Sequence, residues 1–265
     1  MTPLASIELL HRLTQVGIAY TIARMRVIEA RSGESIGVRR YGDAAALLCR
    51  QVPSPYFNSV VGLRGGQESL VGEIDDWYRE NNIKPRFVIA PGDLTEEMGR
   101  ALAERGFRVT DTDTVLYGAS PAPAIPPPDI DIVEVDSPDL MEDFLDALLA
   151  GWRIPSEHHE PAKANMRGWL GVADWRLYLA RIDGKPAAAA KLFVKDGIGF
   201  FPDAATRPEF RGRGLQTALL RHRAAVAASA GAELIYSQAA FGSTSQHNME
   251  RIGLRVLCTN TIWTR

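Results

Sequence analysis

The chain has 265 residues, 46% of them hydrophobic, which is enough to fill ordinary cores in one or two domains and argues against disorder. Its formal net charge is −2, from 30 Lys and Arg against 32 Asp and Glu, and neither half carries a basic surplus, so a nucleic-acid partner is not expected. The two cysteines, Cys49 and Cys258, stand far apart and outside any Cys-x-x-Cys pair, so neither a disulfide framework nor a metal site is indicated. No secretory leader is legible and no apolar run approaches the ~20 residues of a membrane span, so the expectation is a soluble, cytoplasmic protein with no membrane partner.

Residues 4–30 carry apolar side chains every three or four positions, from Ile7 and Leu10 to Met25 and Ile28, and predict a helical lead-in. From 35 to 63 the pattern changes to short β-type runs at 36–40, 44–49 and 58–63. Arg64-Gly65-Gly66 then opens a helix that ends near Asn81-Asn82. A strand follows at 86–89, Asp93 looks like the cap of a helix over 94–104, Gly106 stops that helix, and strands run through 107–116. Residues 119–128 hold five prolines in ten positions, a stiff and extended composition that reads as a linker between a domain at 1–118 and another at 129–265.

The second domain opens on a strand at 130–135, and Ser137 caps a helix from Pro138 to about Ala150. The loop 151–161 contains Trp152, Glu157, His158, His159 and Glu160 and leads to a short helix over 163–169. Alternating strands at 175–182, 186–194 and 198–205, joined by Asp183-Gly184 and Asp196-Gly197 turns, form an antiparallel meander. It delivers the chain to Thr206-Arg207-Pro208-Glu209-Phe210-Arg211-Gly212-Arg213-Gly214, followed by a helix with Leu215, Leu219 and Val226 on one face. Glycines that admit a close ligand, arginines, and the unpaired N–H groups of a helix start together make an anion cradle. A Walker loop would need Lys-Ser or Lys-Thr where Leu215-Gln216 stand, and a dinucleotide fingerprint would want glycine at Thr217.

These residues resemble the acetyl-CoA signature of the GNAT superfamily of N-acetyltransferases, Arg or Gln, two residues, Gly, one residue, then Gly or Ala. Arg211 and Gly214 match it, and Gln216 departs from it at the last position. The resemblance continues through the strand at 234–237, the helix at 245–251 and the turn Gly253-Leu254-Arg255-Val256. The two halves also resemble each other. Gly106-Phe107-Arg108-Val109 and Gly253-Leu254-Arg255-Val256 each follow a helix, and eight residues after each Gly stand Thr114-Val115-Leu116 and Thr261-Ile262-Trp263. The offset of 253 minus 106, or 147 residues, suits a domain duplication. The expected fold is therefore α/β of mixed α+β character, with two tandem GNAT-like domains, each a mixed, largely antiparallel twisted sheet flanked by helices. In the first, Arg64-Gly65-Gly66 occupies the cradle position without the motif, so that domain reads as degenerate.

The resemblance implies acetyl-CoA as cosubstrate, with Ala204, Ala205 and Thr206 along the pantetheine and the backbone of Arg211, Gly212, Arg213, Gly214, Leu215, Gln216 and Thr217 on the pyrophosphate. Ser245 and Asn248 are further cofactor candidates. The glutamate that many relatives carry on the fourth strand would fall near Ile198 and is absent, and Met249 stands in place of their tyrosine. Asp203 is left as a candidate base and Tyr236 as a candidate acid, with Glu157 and His158 as candidate acceptor-site residues. The expected activity is acetyl transfer to the primary amine of a small molecule by a monomer or homodimer. A non-catalytic acyl-CoA sensor and a protein N-acetyltransferase are the alternatives.

Overall fold

The structure, a computed structural model, describes residues 2–52, 54–119 and 129–265. In chain order its first elements are α1 (Ile7–Ser32), β1 (Gly37–Tyr41), β2 (Ala44–Leu48), β3 (Ser59–Val61), α2 (Leu70–Glu80), β4 (Arg86–Ile89), α3 (Glu96–Glu104) and β5 (Arg108–Gly118). After the proline-rich stretch, whose residues 120–128 lie outside the described residues, come β6 (Ile130–Glu134), α4 (Pro138–Gly151), α5 (His159–Met166), β7 (Trp175–Ile182) and β8 (Lys185–Lys195). The chain then runs through β9 (Ile198–Phe200), β10 (Ala204–Thr206), α6 (Leu215–Ser229), β11 (Leu234–Ala239), α7 (Thr244–Arg251) and β12 (Arg255–Thr264).

These elements form two compact units that interleave in sequence. The N-terminal unit comprises Leu4–Val115, Ala239–Phe241 and Val256–Arg265, and the C-terminal unit consists chiefly of Leu116–Gln238 and Gly242–Arg255. Residues 256–265, placed with the second domain in the sequence-based division, therefore lie with the first. The anchor is local: fully buried Asp75 on α2 receives Arg265 at 2.6 Å, Arg79 at 2.9 Å and Arg105 at 3.7 Å, so the end of β12 is held by a buried carboxylate.

In the N-terminal unit the strands run in the order β1-β2-β3-β4-β12-β5. β2 shows why this sequence makes a two-sided sheet. Its alternate residues Ala44, Ala46 and Leu48 pack with Val71, Ile74, Trp77, Met98 and Leu102 of α2 and α3, while Ala45 and Leu47 pack with Ile18, Met25 and Ile28 of α1. The cap of α3 is Thr95, whose hydroxyl accepts from the Met98 N–H at 3.0 Å. Asp93, read as that cap from the sequence, bonds the His11 ring instead at 2.9 Å.

In the C-terminal unit the order is β6-β7-β8-β9-β11, and β10 pairs β8 off that path. β9 is antiparallel to β8 and parallel to β11. Pro138 opens α4 behind a Ser137 cap, as the sequence predicts. On α6 the buried face is Leu215, Ala218, Leu219, Arg223 and Ala227, with Val226 half-buried beside it. The two halves of the chain repeat one order of elements: α1-β1-β2-β3-α2-β4-α3-β5 parallels α4-β7-β8-β9/β10-α6-β11-α7-β12, with β6 and α5 added in the second. Gly106 and Gly253 end the matching helices α3 and α7 with left-handed φ of 83° and 97°. No helix among the described residues is long and apolar enough to cross a membrane.

Candidate active site

The site is made where the strand at 198–206 breaks in two. β9 bonds β11 as far as Phe201, whose N–H donates to the Tyr236 carbonyl at 3.0 Å and whose carbonyl accepts from the Ser237 hydroxyl at 2.7 Å. Pro202 has no N–H to continue that ladder. Between the pairs Phe193/Phe200 and Ala190/Ala204, β8 advances three residues and the opposing strand four, a one-residue bulge. Beyond it β10 keeps β8 but leaves β11, so the two strands part.

Hydrogen-bond alternation then decides what β10 offers. The Asp203 carbonyl accepts from the Lys191 N–H at 2.8 Å, and the Arg207 N–H donates to Ala187 at 3.0 Å, so the odd-numbered residues face β8. Ala204 and Thr206 therefore turn their backbone groups to the open edge, where the Thr206 carbonyl already accepts from Arg211 Nε at 3.3 Å. Ala205 does not belong with them as a ligand contact. Its backbone pairs with Ala189 and its methyl lies against Gly151, where an added Cβ would stand 2.6 Å away. Ala205 seats the end of α4 on β10.

The loop after β10 passes a short 3-10 turn, Pro208–Phe210, and two left-handed glycines, Gly212 and Gly214, both at φ 77°. α6 begins with no side-chain cap, and the first backbone bond of its opening turn is Ala218 N–H to the Gly214 carbonyl. The N–H groups of residues 212–217 meet no protein acceptor among the described residues, and those of 215–217 open the positive end of the α6 dipole. The side chains of the two arginines bond the protein itself. Arg211 bonds the Gly151 carbonyl at 2.9 Å as well as Thr206, which stitches the loop to α4 and β10. Arg213 pairs with Asp129 at 3.4 Å. Gln216, the departure from the motif, ties its side-chain amide to the Thr206 hydroxyl at 2.9 Å.

In the gap between β10 and β11 lies a cavity of ≈ 200 Å³, walled by residues of both strands, by Trp152, and by α6 and α7. Asp203, Ala204, Gln216, Ser245 and Asn248, singled out in the sequence, line it. Leu215 is buried, so the helix start offers a ligand its backbone and not that side chain. Thr217 is half-buried on the first turn. Tyr236 is not on the wall: it is buried, stacks on Phe200 with ring centroids 4.4 Å apart, and burial raises its phenol well above the ordinary value. Glu157 and His158 are exposed on a 3-10 turn away from the lining, and His159 bonds the Ile154 carbonyl at 2.8 Å.

Two buried cations escape the motif reading. Lys191, fully buried on β8, places its ammonium 3.2 Å from the Asp203 carboxylate and over the rings of Trp169 and Trp175, at 3.5 and 4.1 Å from their centroids. Arg223, 1% exposed on α6, forms part of the cavity wall and bonds the carbonyls of Leu219 and Lys191 at 3.2 and 2.9 Å. A signal for both existed: Lys191 interrupts the apolar run of β8, and Arg223 continues the four-residue spacing of Leu215 and Leu219. Among the described residues no cluster of His, Cys, Asp or Glu is placed to hold a metal ion.

Residues 138–253 match the family model described as Acetyltransferase (GNAT) family. Comparison with curated proteins gives no significant match. Among solved structures, a GCN5-related N-acetyltransferase from Kribbella flavida has 15% identity, TM-score 0.65, and covers 93% of this chain and 94% of its own. A GCN5-related N-acetyltransferase from Sphaerobacter thermophilus has 15% identity, TM-score 0.61, and covers 100% and 94%. A tandem GNAT protein from the clavulanic acid biosynthesis pathway has 14% identity, TM-score 0.62, and covers 100% and 97%; likenesses at such identity show the fold. Residues 138–253, with their split strand and uncapped helix start, match the GNAT acetyltransferase family, and that match supports an acyltransferase activity.

Proposed function

We propose that the chain is an acetyl-CoA-dependent N-acetyltransferase that acts on the primary amine of a small molecule, with its site in the C-terminal unit. The observation that carries this reading is the combination of a free strand edge at Ala204 with unpaired N–H groups over residues 212–217. A pyrophosphate suits those donors, and an amide-bearing arm suits the N–H and C=O of Ala204. Bound there, acetyl-CoA supplies its acetyl group as a thioester, which an amine converts to an amide with release of the thiol. Arg211 holds the loop in place, and Gln216 joins the helix start to the end of β10.

Among the lining side chains Asp203 and Arg223 are the ionisable ones. An acceptor ammonium, with an ordinary pKa near 10, must lose a proton before it attacks. Asp203 supplies the carboxylate that holds the ammonium and passes its proton to water, and the Lys191 ammonium fixes that carboxylate at the cavity. The N-terminal unit is the degenerate repeat, which keeps the order of elements without a second site.

A second reading, an acyl-CoA-binding module without turnover, is favoured by the wall of α7, where Met249 has no proton to give. Calorimetric titration with CoA and with acetyl-CoA, followed by thioester consumption over a panel of primary amines, separates these readings. The expectation is one site per chain, micromolar affinity and amine-dependent loss of thioester. Two sites would refute the silent N-terminal unit, binding without turnover would favour the second reading, and no binding would refute both.

A further inference from the structure

Arg223 is a buried charge that makes no ion pair among the described residues. Its guanidinium donates to two backbone carbonyls and lies 4.6 Å from the centroid of the Phe201 ring, and among the described residues no carboxylate comes within ion-pair distance of it. The acidic side chain on the cavity wall, Asp203, lies on the ammonium of Lys191. Two buried cations thus stand against one carboxylate at this cavity. Burial pushes the Arg223 guanidinium down to about 9 against the opposing pull of Tyr178 and of the Asp203 carboxylate that Lys191 already engages, which still leaves it charged at neutral pH. A buried cation that lacks an anion is expensive, and an apolar side chain of similar size would fill the same space at lower cost.

We propose that the missing anion arrives with the ligand: the cavity receives a carboxylate-bearing molecule, and Arg223 is the residue that selects it. The inference rests on the acyltransferase reading above and sharpens its substrate class. The wall offers a carboxylate at Asp203 and a guanidinium at Arg223, a complement for a molecule with one amine and one carboxylate. The carboxylate has two sources, the acceptor amine, as in an amino acid, or the acyl group, as in a dicarboxylic acyl-CoA. At ≈ 200 Å³ the cavity suits a short chain in either case.

Binding distinguishes the sources without requiring turnover. Wild type, Arg223→Met and the charge-keeping Arg223→Lys are titrated calorimetrically with two matched pairs: succinyl-CoA against acetyl-CoA, and lysine against cadaverine in the presence of CoA. In wild type the carboxylate-bearing member of one pair is expected to bind about tenfold tighter or more, the preference to vanish in Arg223→Met and to persist in part in Arg223→Lys. The pair that shows the preference names the source. Members of both pairs binding within about twofold in wild type would overturn the proposal even if Arg223→Met does not fold. A preference that survives Arg223→Met would overturn the role of Arg223. CoA itself binding without a carboxylate preference would sink this inference alone, whereas failure of CoA to bind would take the acyltransferase site with it.

Discussion

The two repeats treat the same loop in opposite ways. After β3 the N-terminal unit turns through Arg64-Gly65-Gly66 into α2, and its own side chains fill the donors. The Arg64 N–H donates to the Gln67 side chain at 2.9 Å and the Gly66 N–H to the Glu68 carboxylate at 2.8 Å, which also accepts from the Thr95 hydroxyl at 2.9 Å. The Gly66 N–H is the largest of the influences that hold the Glu68 carboxyl below the ordinary range. A protein carboxylate sits where an exogenous anion would. After β10 the C-terminal unit leaves the N–H groups of 212–217 without a protein acceptor among the described residues. The strands differ likewise. β3 pairs β2 on one side and β4 on the other through Val61, with no segment parted from its neighbour, whereas β10 stands apart from β11. One loop is closed on itself, and the other is open to a ligand.

Matched substitutions at the two glycines break this comparison most forcefully. Gly66 and Gly214 have φ of 89° and 77°, and a Cβ at either meets nothing within 4 Å, so the strain on a valine's Cβ comes from the backbone conformation. The left-handed conformation costs a β-branched residue on the order of 1–2 kcal/mol. Gly214→Val is expected to turn the donors of the helix start away and to weaken CoA binding about tenfold or more by calorimetry. Gly66→Val should lower Tm by about as much as Gly214→Val does, since both carry the same backbone strain, and leave CoA affinity unchanged. Equal losses of affinity would mean that the N-terminal loop serves the ligand after all.

A smaller effect is expected at the paired arginines. Arg64 meets Asp43 at 2.5 Å across two exposed side chains, and such pairs contribute roughly 0–1 kcal/mol. Arg211 instead bonds two carbonyls that belong to α4 and β10. Arg211→Ala should weaken CoA binding by a few-fold to about tenfold through loosening of the loop, and Arg64→Ala should change neither affinity nor Tm measurably. A salt-independent loss in Arg211→Ala separates stitching from direct attraction of the pyrophosphate, which salt would screen.

The open loop was legible because its chemistry is local: two glycines, a proline and a helix start lie within a dozen residues. The duplication was legible for the same reason, as a pattern repeated at a fixed offset. What escaped depends on contacts distant in sequence. Lys191 and Asp203 meet across a strand pair, and Arg223 reaches the Lys191 carbonyl from a helix thirty-two residues away, so neither periodicity nor a motif joins them. The placement of β12 escaped for a different reason. Thr114-Val115-Leu116 and Thr261-Ile262-Trp263 carry the same pattern, and a strand pattern specifies a buried face without specifying its neighbour. Nothing local distinguishes the last strand of one repeat from that of the other.

The smallest expected effect sharpens the comparison at that strand. Asp113 on β5 and Asn260 on β12 occupy equivalent positions in the repeat, 147 residues apart, so one repeat has a charge where the other has an amide. Burial raises the Asp113 carboxyl to about 6, with Arg86 opposing the shift and Asp111 adding to it. A folded-state value above the unfolded one of 3.8 means that the native state binds the proton more tightly. Its stabilisation is then complete below about pH 4 and disappears as pH rises through 6. Above that pH the ionised carboxylate lies in a desolvated place that the Arg86 charge only partly offsets. Asp113→Asn should therefore raise stability by roughly 1–2 kcal/mol at pH 8, have little effect at pH 4, and flatten the fall between them. Tm recorded at half-unit steps from pH 4 to 8 in both proteins checks this, and a gain of equal size at both ends would assign the effect to packing instead of proton binding.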